Sequence, residues 1–175
     1  LKIALEPDFV TRLMDKCMIT AKDFAKAQIE SGCDVIGVGD AICSQISADM
    51  YRSMVLPLHR ELFEFIHSCG AAVKLHICGD ITHLLPDVAS AGMDILDIDW
   101  MVDFDDAYSA VGDSAVVCGN LDPVTVIQDL SAGEIAQKAS ELVNRYRDRK
   151  FILSGGCEIT VNTPHQNLER LHPRR

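Results

Sequence analysis

The sequence predicts an α/β fold built on a parallel sheet. Three observations carry that reading. Short apolar runs alternate with amphipathic stretches five times, glycines stand where helices should stop, and Ser, Thr or Asp stand where they should start. Of the 175 residues 48% are apolar, which is enough for a real core, and no low-complexity linker divides residues 1–175, so one domain is expected.

The elements follow in order. Thr20 with Asp23 reads as a capping-box start, Gly32 as the stop, and Phe24, Ala27 and Ile29 as the buried side of the first helix. Residues 34–40 read as a buried strand ending in Asp40. Pro57 fits the first turn of the next helix, whose apolar face is Leu58, Leu62, Phe65, Ile66 and Cys69. The second strand is 72–77. Thr82 is placed to cap a helix carrying Leu84, Leu85 and Val88, which Gly92 closes. The third strand is 95–98, followed by a helix with Phe104, Ala107 and Val111 that stops at Gly112. The fourth strand is 115–118. Asp122-Pro123 starts a short helix, and Ser131 with Glu134 forms a capping box for a longer one. The fifth strand is 151–153. Thr163-Pro164 caps a last helix running toward Arg174-Arg175.

Charge and composition exclude several classes. A formal net charge of -10 argues against nucleic acid as a partner. No stretch approaches 18 uncharged apolar residues, so no membrane span is expected. Seven cysteines, spread along a chain that can build its own core, read as free thiols in a reducing cytoplasm rather than as a disulfide scaffold. Cys17, Cys33 and Cys69 fit helical patterns and read as packing residues. His59, His67, His83, His165 and His172 belong to no motif and read mostly as surface residues.

Two short pieces stand out: His76-Ile77-Cys78-Gly79-Asp80 and Ser154-Gly155-Gly156-Cys157-Glu158. Each follows a strand-like run, at the end where parallel α/β folds build active sites. One imidazole and two thiolates there suit a zinc site with a vacant fourth position. The competing reading is three buried fillers, since cysteine is often fully buried. Asp40, Asp97 and Asp99 also fall at strand ends. Each is a candidate to orient a metal-bound imidazole or to contact substrate, against the plainer role of capping the next helix. Cys118 reads as packing, Glu158 as a solvated acid and Trp100 as half-buried core or a pocket wall.

Five βα units can form an open doubly wound sheet or the last five units of a (β/α)8 barrel. Length alone favours the open sheet, because a closed barrel takes about 250 residues. The motifs favour the barrel. His76-x-Cys78-Gly79, Leu96-Asp97-x-Asp99-Trp100, Cys118-Gly119-Asn120-Leu121-Asp122-Pro123, Gly155-Gly156-Cys157-Glu158 and Thr163-Pro164-x-x-Asn167-Leu168 together resemble the uroporphyrinogen decarboxylase superfamily. The resemblance runs from about Glu6 to Leu171. It implies the C-terminal five βα units of a TIM-type barrel, with an N-terminal part of the family absent.

The resemblance also separates two branches. Metal-free decarboxylases carry glycine-histidine-glycine after the last strand, where this chain has Gly155-Gly156-Cys157. Corrinoid-dependent methyltransferases bind zinc through a His-x-Cys pair and a distant Cys, matched here by His76, Cys78 and Cys157. The implied activity is methyl transfer from a methylated corrinoid protein to a thiol such as coenzyme M, or to tetrahydrofolate, with zinc and a partner-borne corrinoid (methylcobamide) as cofactors. The alternatives are a tetrapyrrole decarboxylase and a non-catalytic fragment or corrinoid-binding module. An incomplete barrel leaves sheet edges open, so self-association or pairing with a missing half is expected.

Overall fold

The computed structural model describes residues 2–172. A short helix, α1 (Lys2–Leu5), leads into the long α2 (Pro7–Glu30). β1 (Val35–Gly39) follows, then a 3-10 turn (Ala41–Gln45), α3 (Ala48–Met50), a π-helical segment (Tyr51–Val55) and α4 (Leu56–Ser68). β2 (Ala72–Ile77) leads through a 3-10 turn (Thr82–Leu84) to α5 (Leu85–Val88), and β3 (Ile95–Ile98) to α6 (Phe104–Val111). β4 (Val116–Leu121) is followed by a π-helical segment (Pro123–Gln128) and α7 (Ala132–Arg145), and β5 (Phe151–Gly155) by α8 (His165–Leu168).

All strands are parallel and lie in the order β1-β2-β3-β4-β5. A doubly wound sheet reverses its order at a switch point, whereas a barrel adds each strand beside its predecessor. This sheet never reverses, so it is five βα units of a barrel. Length pointed the other way, because it measures how much chain there is and not how strands are ordered.

The strand period of two assigns the faces. Val73, Leu75 and Ile77 of β2 are wholly buried against the helix layer, with Leu96, Ile98 and Val117 beside them and Leu62, Phe63 and Ile66 of α4 above. The opposite, inner face carries Lys74 and His76, followed across the sheet by Asp97 and Cys118 at the register positions of His76. Thus the inner face is polar just where the strands end.

Several local expectations change. Thr20 does not start a helix; α2 begins at Pro7, and the Thr20 hydroxyl donates to the Lys16 carbonyl inside it. Phe24 is exposed and Ala25 buried, since α2 turns a narrower side to the sheet. β1 is not buried throughout. It pairs with β2 alone, and only Ile36 is enclosed. Asp80, not Thr82, caps the turn after β2, its Oδ1 accepting from the Thr82 N–H and hydroxyl. Thr163 bonds Thr160 instead of capping α8, which ends at Leu168; Arg174-Arg175 lie outside the described residues. Cys17 and Cys33 are exposed, while all seven cysteines are free. His59 is buried. The Ser131–Glu134 capping box forms as expected.

Candidate metal centre

His76 is the fifth residue of β2, and its side chain points to the inner face. Its Nδ1 lies 2.9 Å from the Asp97 backbone carbonyl. A carbonyl can only accept, so Nδ1 carries the proton and Nε2 presents a bare lone pair. Cys78 follows directly after the strand. Its Sγ lies 3.3 Å from His76 Nε2. The chain then turns through Gly79 at φ 88°, a left-handed conformation that favours glycine.

Asp99 fixes that turn. It is buried, with Oδ2 accepting the Gly79 N–H at 2.8 Å and Oδ1 the Met101 N–H at 3.1 Å. Asp99 therefore holds the loop bearing Cys78 and does not touch the imidazole.

Cys157 arrives from the end of β5, and Gly156 dictates how. The Gly156 N–H donates to the Leu121 carbonyl at 2.8 Å, and its carbonyl accepts from the Trp100 N–H at 3.1 Å. A Cβ built on Gly156 would fall 2.7 Å from Trp100 Cα and 2.8 Å from its Cβ. Only glycine lets β5 approach the β3 loop this closely. The result is Cys157 Sγ 3.6 Å from His76 Nε2 and 3.7 Å from Cys78 Sγ.

Among the described residues this trio is the sole group of three or more His, Cys, Asp or Glu side chains with ligand-type atoms converging, all within 4.8 Å. A tetrahedral zinc, with bonds of about 2.3 Å to sulfur and about 2.0 Å to nitrogen, separates two sulfurs by about 3.8 Å and sulfur from nitrogen by about 3.6 Å. The observed separations fit, and three donors leave one position open. Burial pushes the Cys157 thiol above its ordinary pKa; the Glu158 N–H opposes this, while Cys78 and the Asp99 charge reinforce it. A thiol so placed gains from a cation beside it.

The other sequence candidates sort by geometry. Asp97 is buried, accepts from Lys74 Nζ at 2.7 Å through Oδ2, and has that same oxygen 3.9 Å from His76 Nδ1. Asp40 turns away: its Oδ2 meets His59 Nε2 at 3.2 Å, and only its backbone N–H reaches the His76 carbonyl. Cys118 stays outside the trio. Burial and the Asp97 charge push its thiol up to about 12, so it remains protonated. Glu158 and Trp100 are exposed. Sequence reasoning missed Lys74 and the close packing of Gly156. Lys74 could have been found, since it shares strand parity with His76; the Gly156 contact comes from chain 56 residues away and leaves no local signal.

The chain is 30% identical over 166 residues to the methylcobamide:CoM methyltransferase MtbA of Methanosarcina mazei, covering 94% of this chain and 48% of that protein. It is 28% identical over 166 residues to a uroporphyrinogen decarboxylase of Prochlorococcus marinus, covering 94% and 47%. The chain thus spans about half the length of the curated relatives it matches. A solved methyltransferase from Methanosarcina mazei superposes with a TM-score of 0.87 over 97% of this chain and 50% of its own; at 22% identity it speaks for the fold alone. No helix among the described residues is long and apolar enough to cross a membrane. Residues 2–173 match the uroporphyrinogen decarboxylase (URO-D) family throughout, and with a barrel arc that ends its strands in that family's motifs, the chain belongs to it.

Proposed function

We propose that this chain is the C-terminal part of a zinc-dependent corrinoid methyltransferase, which moves a methyl group from a methylated corrinoid protein to a thiol such as coenzyme M. The observation that carries the reading is the convergence of His76 Nε2, Cys78 Sγ and Cys157 Sγ at separations suited to one tetrahedral ion. The similarity to MtbA supports it. So does the end of β5, which reads Gly155-Gly156-Cys157 where the decarboxylases of the family carry glycine-histidine-glycine.

Each residue then has a task. His76 offers Nε2, because the Asp97 carbonyl holds the proton on Nδ1. Cys78 and Cys157 supply two thiolates, so the protein donors neutralise a divalent cation and leave one position for the acceptor. Zinc bound there would lower the pKa of an incoming thiol and hold its sulfur for attack on the methyl group. Asp99 and Gly156 keep the two cysteine-bearing loops in place. The mouth of the barrel, where the ends of β2 and β5 bring the three residues together, is the surface a corrinoid-bearing partner would face. A reducing compartment suits a site that needs two free thiols.

The test is zinc content and methyl transfer, measured on wild type, Cys157→Ala and His76→Ala. One zinc per wild-type chain, lost in both variants, supports the site. Methylcobalamin-dependent alkylation of coenzyme M, lost with the metal, supports the reaction. The near-equal similarity to decarboxylases makes the opposing outcome concrete. Uroporphyrinogen decarboxylation without metal, and zinc content unchanged by either substitution, would overturn the reading.

A further inference from the structure

The inner face of the sheet carries a charge pair directly beneath the trio. Lys74 and His76 are two apart on β2 and share that face, and Asp97 stands opposite His76 in the register. Lys74 Nζ holds Asp97 Oδ2 at 2.7 Å. Asp97 is only 7% exposed, and its other oxygen, Oδ1, is buried without a hydrogen-bond partner. A buried carboxylate with an empty oxygen draws any donor in reach. The Cys118 thiol lies beside this carboxylate, and His76 Nδ1–H is 3.9 Å from Oδ2, yet that proton sits on the Asp97 backbone carbonyl at 2.9 Å. One N–H therefore has two acceptors on the same residue, and it takes the neutral one.

We infer that Lys74 makes this choice: by holding the Asp97 carboxylate through Oδ2, it keeps His76 Nδ1–H on the backbone carbonyl and so sets how strongly Nε2 donates. Lys74 is a positioning residue that never touches the ion. A metal-bound histidine whose other nitrogen donates to a carboxylate is a more basic ligand than one donating to a carbonyl. Without Lys74 the carboxylate loses its only cation and turns to the imidazole. The pair thus holds the ligand set below its greatest strength, which suits a site whose fourth ligand must come and go.

The inference rests on the metal reading for its consequence but not for its hydrogen bonds, so the two can fail separately. Lys74→Met keeps the length of the side chain and removes the charge. In metal-free protein, nitrogen-edited NMR of the His76 ring should show the Nδ1 proton moving downfield, as expected of a carboxylate-bound N–H. In zinc-loaded protein, chelator competition should show binding tightened about tenfold, the lower end of what such outer contacts contribute. Asp97→Asn in the Lys74 background should leave the Nδ1 proton where it is, because the carboxylate is not its acceptor. That second variant also decides the matter if Lys74→Met does not fold. An unmoved proton and unchanged or weaker zinc binding in Lys74→Met, or an upfield move in Asp97→Asn, would overturn the role of Lys74. Failure of wild type to bind zinc would sink the proposed function while leaving the NMR result decisive.

Discussion

Two clusters at neighbouring strand ends use the same residue types and arrive at opposite chemistries. At the end of β2 stand His76, Asp97, Cys78 and Cys157. At the end of β1 stand His59, Asp40, Cys43 and Tyr51. In the second cluster both ring nitrogens are occupied: Nε2 donates to Asp40, whose carboxylate can only accept, and Nδ1 accepts from the Tyr51 hydroxyl at 2.9 Å. The ring also stacks on Phe63 at 5.2 Å. Burial and the Asp40 charge hold the Cys43 thiol well above its ordinary pKa, so it stays a neutral thiol. In the first cluster the unprotonated ring nitrogen meets two sulfurs, at 3.3 and 3.6 Å. Residue type does not make a ligand. A ligand is made by the bond its other atoms already hold.

The sharpest way to break the contrast is to remove one histidine at a time. His76→Ala should abolish stoichiometric zinc binding, because two thiols alone do not complete a closed donor set. His59→Ala should leave zinc content unchanged while lowering the unfolding midpoint, since it opens a cavity and strips Tyr51 and Asp40 of a partner. Metal analysis and thermal unfolding on the same samples separate the two. Zinc lost equally in both variants would erase the distinction.

A smaller effect should come from Gly156→Ala. The added methyl group meets Trp100 backbone and Cβ, neither of which is the free end of a flexible side chain. The end of β5 must shift, at a cost of about 1–3 kcal/mol as for other overpacked sites. Cys157 moves with it, so zinc affinity should fall as well, read by chelator competition. Gly37→Ala, where a Cβ meets nothing within 4 Å, is the control and should alter neither.

How much of this was legible beforehand differs between the clusters. His76 lies in β2 and Cys78 two residues on, just past the strand end, so a chain that stays extended to that point puts both on one face. Cys157 needed the order of strands, which the motifs implied and the sheet bears out. His59 was misread as a surface residue because it lies in a helix without a motif. Its partners come from 8 and 19 residues away, through a π-helical segment whose turn no apolar spacing announces. The start of α2 was missed for a related reason. Thr20 and Asp23 satisfy a capping pattern locally, but Pro7 begins the helix 13 residues earlier, where no side chain caps the end and the start is marked only by Pro7 itself and by Asp8 in the first turn. Patterns within one element are visible in sequence; contacts between elements are visible only where a residue type is rare enough to be noticed.

Tyr51→Phe sharpens the comparison further. It leaves His59 Nδ1 buried without a donor, and such a loss costs about 1–3 kcal/mol. Chemical denaturation should show that loss, with zinc content unaltered. A variant as stable as wild type would mean that the Tyr51–His59 bond is incidental, and the second cluster would lose its claim to a structural role.

The smallest expected effect is the dependence of stability on pH that Asp40 gives the β1 cluster. Burial by itself would raise the Asp40 carboxyl. Hydrogen bonds from His59 and Cys43, with the field of His59, outweigh it and hold the folded pKa below the ordinary value. The unfolded chain therefore takes up this proton first as pH falls, and stability rises with pH across that interval. The contribution of Asp40 is complete above its unfolded pKa of about 3.9 and is lost as pH drops through the lower folded value. Asp40→Asn should thus be less stable than wild type near neutrality and converge on it in acid, as read by denaturation midpoints at a series of pH values. Zinc release in the same titration should come at higher pH, because the donors of the metal centre must all be deprotonated to bind. If the two transitions coincide, or if the Asn variant runs parallel to wild type down to the lowest pH, the two clusters are not independent and the bond from His59 to Asp40 does not carry the stability assigned to it.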